Sequence, residues 1–204
     1  MRKNISFDFD TPVDRYNTDS IKWNLHLKNI LPLWIADMDF KVAPCIQEAI
    51  EKRISLGTFG YTQAPHDLKE QIAQYLFDQY QWLVDPSWVV ILPRVISGLH
   101  TATRQLTQPY QSCLVPRPVY QHLRLAVTQA QRELIEIPMV LDHNRWVFPW
   151  HELNQYVQSH SKLMHMCNPL NPGGTVFTLK ELTTLAEFAI KNNLLICLMK
   201  FMQV

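Results

Sequence analysis

The sequence predicts an α/β protein: a parallel-rich sheet flanked by helices, preceded by a helical N-terminal segment. Three observations carry this. From residue 86 onward, short β-rich apolar runs alternate with stretches of helical periodicity, the order that winds a parallel sheet with crossover helices. The β-type runs show little polar interruption, as strands covered on both faces do. The 204 residues are 47% hydrophobic and 18% charged, a globular balance that excludes disordered, collagen-like and coiled-coil chains and leaves ample length for a core.

Taken in order, Ala43–Leu56 sets Ile46, Ala49, Ile50 and Ile54 on one helical face and stops at Gly57. His66–Tyr80 does the same with Leu68, Ile72, Tyr75 and Leu76, so both read as helices. The intervening TFGYTQAP is too aromatic and too rich in turn residues for an ordinary solvent loop, and part of it, Tyr61 first, is expected to touch protein or ligand. Strands are expected at Trp88–Leu92, Ser112–Val115, Arg132–Ile137, Lys162–Cys167 and Leu194–Cys197, and helices at Ile96–Leu106, Val119–Ala130 and Leu179–Asn192. The last helix has the firmest boundary, with Thr178 as N-cap and Glu181 completing a capping box.

Charge narrows the function classes. With 19 basic against 18 acidic residues and no dense basic run, the chain lacks the electrostatic footprint for nucleic acid or an anionic membrane. MRKNISFDFD has no apolar core after its basic residues, and no later run reaches spanning length, so a cytoplasmic protein with small-molecule or protein partners is expected. Cys45, Cys113, Cys167 and Cys197 lie far apart without a CxxC pair, which suits buried free thiols better than a disulfide frame or zinc site. His165 and Cys167 share a strand face, but two ligands without a second pair are a weak metal signal.

Three turns carry the chemistry. CNPLNPGGTVFT (167–178) runs from a strand through two Asn-Pro units and two glycines into the capped helix, at the strand end where α/β sheets bind ligands. It reads either as such a site or as a plain Pro/Gly-rich connection. ILPRVISGLH (91–100) leads into a helix whose first amides, around Val95 and Ile96, are free to hold a phosphate. VPRPVYQHL (115–123) presents Tyr120, which either packs in the core or stacks on a planar heterocycle. Phosphate cradle, aromatic platform and asparagine donor together describe a pocket for pyridoxal 5'-phosphate (PLP).

The segments LPLWIADMDF (31–40), APCIQEAI (43–50), GTFGYT (57–62), PVY (118–120) and NPLNPGG (168–174) occur in this order. On them the chain resembles the MalY/PatB class of cystathionine β-lyases, within the PLP-dependent aminotransferase superfamily of fold type I. The resemblance covers residues 5–197, and the pairing of DMDF with FGYT is its most specific part. It implies that the Val95 and Ile96 amides hold the cofactor phosphate, that Tyr120 stacks on the ring, and that Asn171 hydrogen-bonds the ring 3-oxygen. Tyr61 is implied to reach the phosphate of a neighbouring subunit in a homodimer. Asp37 of DMDF is implied to order the active-site entrance, with a turn or cap acid as the alternative. Two departures stand out: Arg94 replaces a frequent glycine, and Leu170 sits where a polar residue is common. Five glycines in 204 residues is below the usual ~7%, so several turns must be made otherwise.

The resemblance further implies that the strand at Leu194–Cys197 continues into Ser-Asp-Glu-Ile-His, whose aspartate pairs with the pyridine nitrogen. The chain instead reads Leu198-Met199-Lys200-Phe201-Met202-Gln203-Val204. Regrouping the back-translated codons one base earlier permits Ser-Asp-Glu-Ile-His-Ala, so a single-base deletion near the Cys197 codon is expected, with 198–204 out of frame. The expected organisation is an N-terminal segment over 1–85, a partial PLP-binding domain over 86–197 and that tail, without the C-terminal domain. The Schiff-base lysine is then missing, no catalytic residue is assigned, and the chain is expected to be an inactive relative of lyases that split cysteine S-conjugates into thiol, pyruvate and ammonia. A class I/II aminotransferase and a non-catalytic interaction or regulatory remnant are the alternatives.

Overall fold

The computed structural model describes residues 7–200, which fall into two compact units, Met1–Pro65 and His66–Val204.

The first unit holds a short helix, α1 (Ile21–Asn24), and a longer one, α2 (Pro44–Ser55). Pro44 opens α2 at a position where a missing N–H costs nothing, and Lys52 and Arg53 sit in the last turn, where cations complement the helix dipole. Gly57, at φ 66°, takes the left-handed conformation just past its end. Around α1 the order comes from one carboxylate. Asp39 accepts from Arg15 Nη1 at 2.8 Å, Lys22 Nζ at 2.7 Å and Trp23 Nε1 at 2.7 Å. Asp37 accepts a second bond from the same Arg15 nitrogen at 2.7 Å. The Lys22 ammonium and then the Trp23 indole hold the Asp39 carboxyl down at about 2. A depressed carboxylate stabilises above its ordinary value of 3.8 and ceases to as pH falls through about 2. Asp39→Asn should therefore loosen residues 15–39 more than Asp37→Asn, read as faster amide exchange at α1; equal effects would refute the ranking.

The second unit is an α/β layer structure. Its helices are α3 (Leu68–Tyr80), α4 (Val95–Leu106), α5 (Gln121–Gln129) and α6 (Leu179–Lys191). Its strands are β1 (Ser112–Arg117), β2 (Glu133–Pro138), β3 (Val140–Asp142), β4 (Arg145–Val147), β5 (Ser161–Cys167) and β6 (Leu195–Met199). The main sheet has the order β2-β1-β5-β6, with every pair parallel. β3 and β4 form a separate antiparallel hairpin.

The core lies where the sequence is least polar. Cys113, Leu114 and Val115 of β1 and Leu163 and Met164 of β5 are fully buried, covered by Leu123, Ala126 and Val127 of α5 and Leu185, Phe188 and Ala189 of α6. Each large aliphatic side chain so buried contributes about 1.5–3 kcal/mol. Arg132 staples the layers at one end, donating to Ala130 O at 2.7 Å and to the Thr107 side chain and carbonyl, both at 3.0 Å.

The run Trp88–Leu92 differs from expectation. Pro86–Trp88 is a 3-10 turn capped by Asp85, whose side chain accepts from the Ser87 N–H at 2.8 Å, and Val89–Leu92 are irregular. No strand among the described residues lies alongside them, and a strand exists only by pairing. The other four expected strands form. The scarcity of glycine has a structural answer: Asn17, Gln81, Gln131, His143, Asn144 and Asn193 adopt positive φ themselves, a tolerance strongest in Asn. Among the described residues, no helix is long and apolar enough to cross a membrane. Of the expected out-of-frame tail, Leu198 and Met199 are the end of β6, in register with Met166 and Cys167; residues 201–204 lie outside the described residues.

Candidate active site

Because β1, β5 and β6 are parallel neighbours, their C-terminal ends meet at one sheet edge. Tyr120 follows β1 as the residue before α5, half-buried, with its ring 5.0 Å from that of His122. Asn171 follows β5, exposed, and among the described residues its side chain makes no hydrogen bond. Lys200 follows β6. Tyr61 belongs to the other unit, where its ring is fully exposed.

The loop after β5 is fixed by its own bonds. Asn168 donates its N–H to Met199 O at 3.1 Å, and its side-chain oxygen accepts from the Phe177 N–H at 3.1 Å. Leu170 N–H donates to Thr175 O at 2.8 Å, and Gly174 N–H to Leu170 O at 2.7 Å. Thr178 and Glu181 form the capping box that starts α6, as expected. Burial pushes the Glu181 carboxyl up, but the Arg145 guanidinium and Thr178 outweigh it and hold it below the ordinary range. Arg145 reaches Glu181 at 3.3 and 3.1 Å and Val176 O at 3.1 Å, which ties β4 to this helix start.

The Leu170 departure now has a reason: its side chain is buried, against Gly173. A Cβ on Gly173 would lie 2.6 Å from Leu170 Cδ2 and 2.8 Å from Trp146 Cδ1. Gly173→Ala should cost about 1–2 kcal/mol through overpacking, measured by denaturant unfolding; an unchanged midpoint would show that the loop yields freely.

A cleft of about 430 Å³ opens between the first turns of α4 and the end of β6, lined by Val95, Gly98 and Leu99 on one side and Cys197, Leu198, Met199 and Lys200 on the other. Its charged lining residues are Arg94 and Lys200, both cationic. Arg94 precedes α4 without a side-chain cap, so the first amides of the helix, Val95 and Ile96 among them, point out of its N-terminus with the positive end of the dipole. The Lys200 ammonium lies 4.6 Å from the centroid of the Tyr80 ring, close enough for cation–π attraction. The cleft thus favours an anion at the α4 end and an apolar body elsewhere.

Deeper in the sheet, His165 is fully buried and pairs in register with Cys197. Its Nε2 lies 2.8 Å from Thr103 Oγ1, which itself donates to Leu99 O at 2.8 Å. The threonine proton being committed, Nε2–H donates and Nδ1 is a bare acceptor, buried without a partner among the described residues. Desolvation pushes His165 down to about 4, and burial raises the thiol of Cys197. Cys113 and Cys167 are buried and free and Cys197 is half-buried and free, whereas Cys45, expected inside, is exposed on α2, whose residues are all outside the core. Among the described residues no three His, Cys, Asp or Glu side chains gather as a metal set. The sequence reading did not single out the His165–Thr103 contact; polar residues within apolar runs were its signal.

Comparison with known proteins places this geometry. Residues 28–198 match the family Aminotransferase class I and II. The chain is 28% identical to the cystathionine beta-lyase PatB of Bacillus subtilis, over 91% of the chain and 49% of PatB. It is 30% identical to the protein MalY of Escherichia coli, over 91% of the chain and 50% of MalY. Cystalysin from Treponema denticola, which contains a pyridoxal 5'-phosphate cofactor, superposes with a TM-score of 0.85 at 26% identity, over 95% of this chain and 51% of that one. The chain spans about half the length of the relatives it matches.

Proposed function

The chain belongs to the aminotransferase class I and II family, and from that premise we propose that it carries the cofactor-binding half of a PLP-dependent carbon–sulfur β-lyase. The observation that carries the reading is the shared sheet edge, where the open N-terminus of α4, Tyr120 and Asn171 follow or flank adjacent parallel strands. The likeness to PatB favours a lyase.

The donor set fits the phosphate of the cofactor: the Val95 and Ile96 amides supply hydrogen bonds, and Arg94 supplies charge. Beyond the cleft lining, at the same sheet edge, Tyr120 offers a stacking face and Asn171 an amide for the ring oxygen. The set does not fit the ring nitrogen, because no carboxylate lines the cleft among the described residues. The substrate class is a cysteine S-conjugate such as cystathionine, which with one water yields the thiol, pyruvate and ammonia. The 204-residue chain itself is inactive in this reading, since among the described residues the one amine lining the cleft, Lys200, sits against Tyr80. Tyr61, fully exposed, serves the phosphate of a neighbouring subunit in a cytoplasmic homodimer. The division at 1–85 and 86–197 and an out-of-frame origin for 198–204 belong to the same reading; a gene whose neighbouring frame fails to encode Asp-Glu-Ile-His would sink the last.

Equilibrium dialysis of PLP against the chain should show saturable binding that inorganic phosphate competes away, and cystathionine should release pyruvate only at background. Absence of binding would remove the cofactor reading, and sustained pyruvate would remove the claim of inactivity. The family match also favours a second reading, an aminotransferase. With the reading frame restored, a lyase gives pyruvate and free thiol, and an aminotransferase exchanges keto acids.

A further inference from the structure

The family cofactor and the cleft agree at one end and disagree at the other. At the phosphate end stand the first amides of α4 with Arg94. The opposite wall is Cys197, Leu198, Met199 and Lys200, and Val90, Leu92 and Leu99 add apolar surface. Met199 is 4% exposed, and its backbone carbonyl already takes the Asn168 N–H at 3.1 Å. Cys197 is a thiol that burial keeps protonated. A pyridinium held here would be a charge in apolar surroundings beside the Lys200 ammonium, with no carboxylate among the described lining residues to take its N–H, and both desolvation and like charge disfavour the charged form.

We propose that this chain binds PLP as the neutral pyridine, because the end of β6 lines the cleft with Cys197, Leu198 and Met199 and offers the ring nitrogen no carboxylate. The proposal rests on the reading that the cleft takes the cofactor. A neutral ring is a weaker electron sink than a protonated one, so the residues present select for holding the cofactor over using it.

The test is nuclear magnetic resonance of PLP labelled with ¹⁵N at the ring, bound to the 204-residue chain between pH 6 and 8. The bound signal is expected at the neutral-pyridine position throughout. In Met199→Asp, which places a carboxylate on the same wall, it should move upfield to the pyridinium position. A pyridinium signal from the unsubstituted chain would overturn the proposal while leaving cofactor binding intact. A sample with no bound signal, confirmed by dialysis, would overturn both. If Met199→Asp does not fold, the unsubstituted chain alone decides.

Discussion

Lowering the pH from 6.5 to 4 should cost this chain about 3 kcal/mol of folding stability through one residue, His165. The imidazole is fully buried, its Nε2–H is donated to Thr103, and its Nδ1 has no partner among the described residues. Protonation would place a charge on that unpartnered nitrogen, and burial therefore lowers its proton affinity from the ordinary 6.5 to about 4. Above 6.5 neither the folded nor the unfolded state carries the proton, and the residue adds no pH dependence. Below it the unfolded chain takes up a proton that the folded chain refuses until about 4, so stability falls by about 1.4 kcal/mol per pH unit and then levels. His100, lowered by desolvation and by Arg104 and His122, acts with the same sign. Asp39, held at about 2, loses its contribution only at lower pH, so the windows separate. Denaturant unfolding at pH 7, 5.5 and 4 should show the steep fall in the natural chain and a much flatter profile in His165→Leu. Thr103 keeps its bond to Leu99 O in that variant. Parallel profiles would exclude His165 as the cause.

His165 also shows where sequence reading reached and where it stopped. That it sits on a strand was legible, because β5 is a short run with little polar interruption and period-two placement of His165 and Cys167. That its nitrogen lacks a partner was not, since this depends on which α4 side chain faces it across the layer. The same division holds elsewhere. The start of α6 was legible to the residue because Thr178 and Glu181 cap through local bonds. Trp88–Leu92 has strand composition, but its state depends on a neighbour distant in sequence. The β3–β4 hairpin turns on His143 and Asn144, at φ 45° and 62°, and lacks the glycine that normally announces such a turn. In the DMDF segment the sequence pointed to Asp37, yet Asp39 gathers the larger set of donors. Two carboxylates two residues apart differ only in what Arg15, Lys22 and Trp23 reach after folding. The parallel order of the main sheet was legible from alternation, and the sheet edge that collects Tyr120 and Asn171 follows from that order.

Val95→Pro should weaken PLP binding by about 10- to 100-fold while leaving the fold in place. Val95 is the first residue of α4, where the backbone N–H has no partner within the helix and proline is well accepted. Arg94 before it is extended, at φ −155° and ψ 151°, the conformation that a following proline requires. The substitution therefore removes one donor from the anion end of the cleft with little strain. A hydrogen bond to a charged group is worth about 1.5–3 kcal/mol, which converts to that loss at 1.4 kcal/mol per decade. Equilibrium dialysis of the cofactor gives the affinity, and circular dichroism with unfolding curves confirms that the variant is folded. If the phosphate is held at this turn, inorganic phosphate should weaken as a competitor in the variant, because it uses the same donor. Unchanged binding in a folded Val95→Pro chain would place the phosphate elsewhere and leave Arg94 and Lys200 as charges lining an apolar cleft.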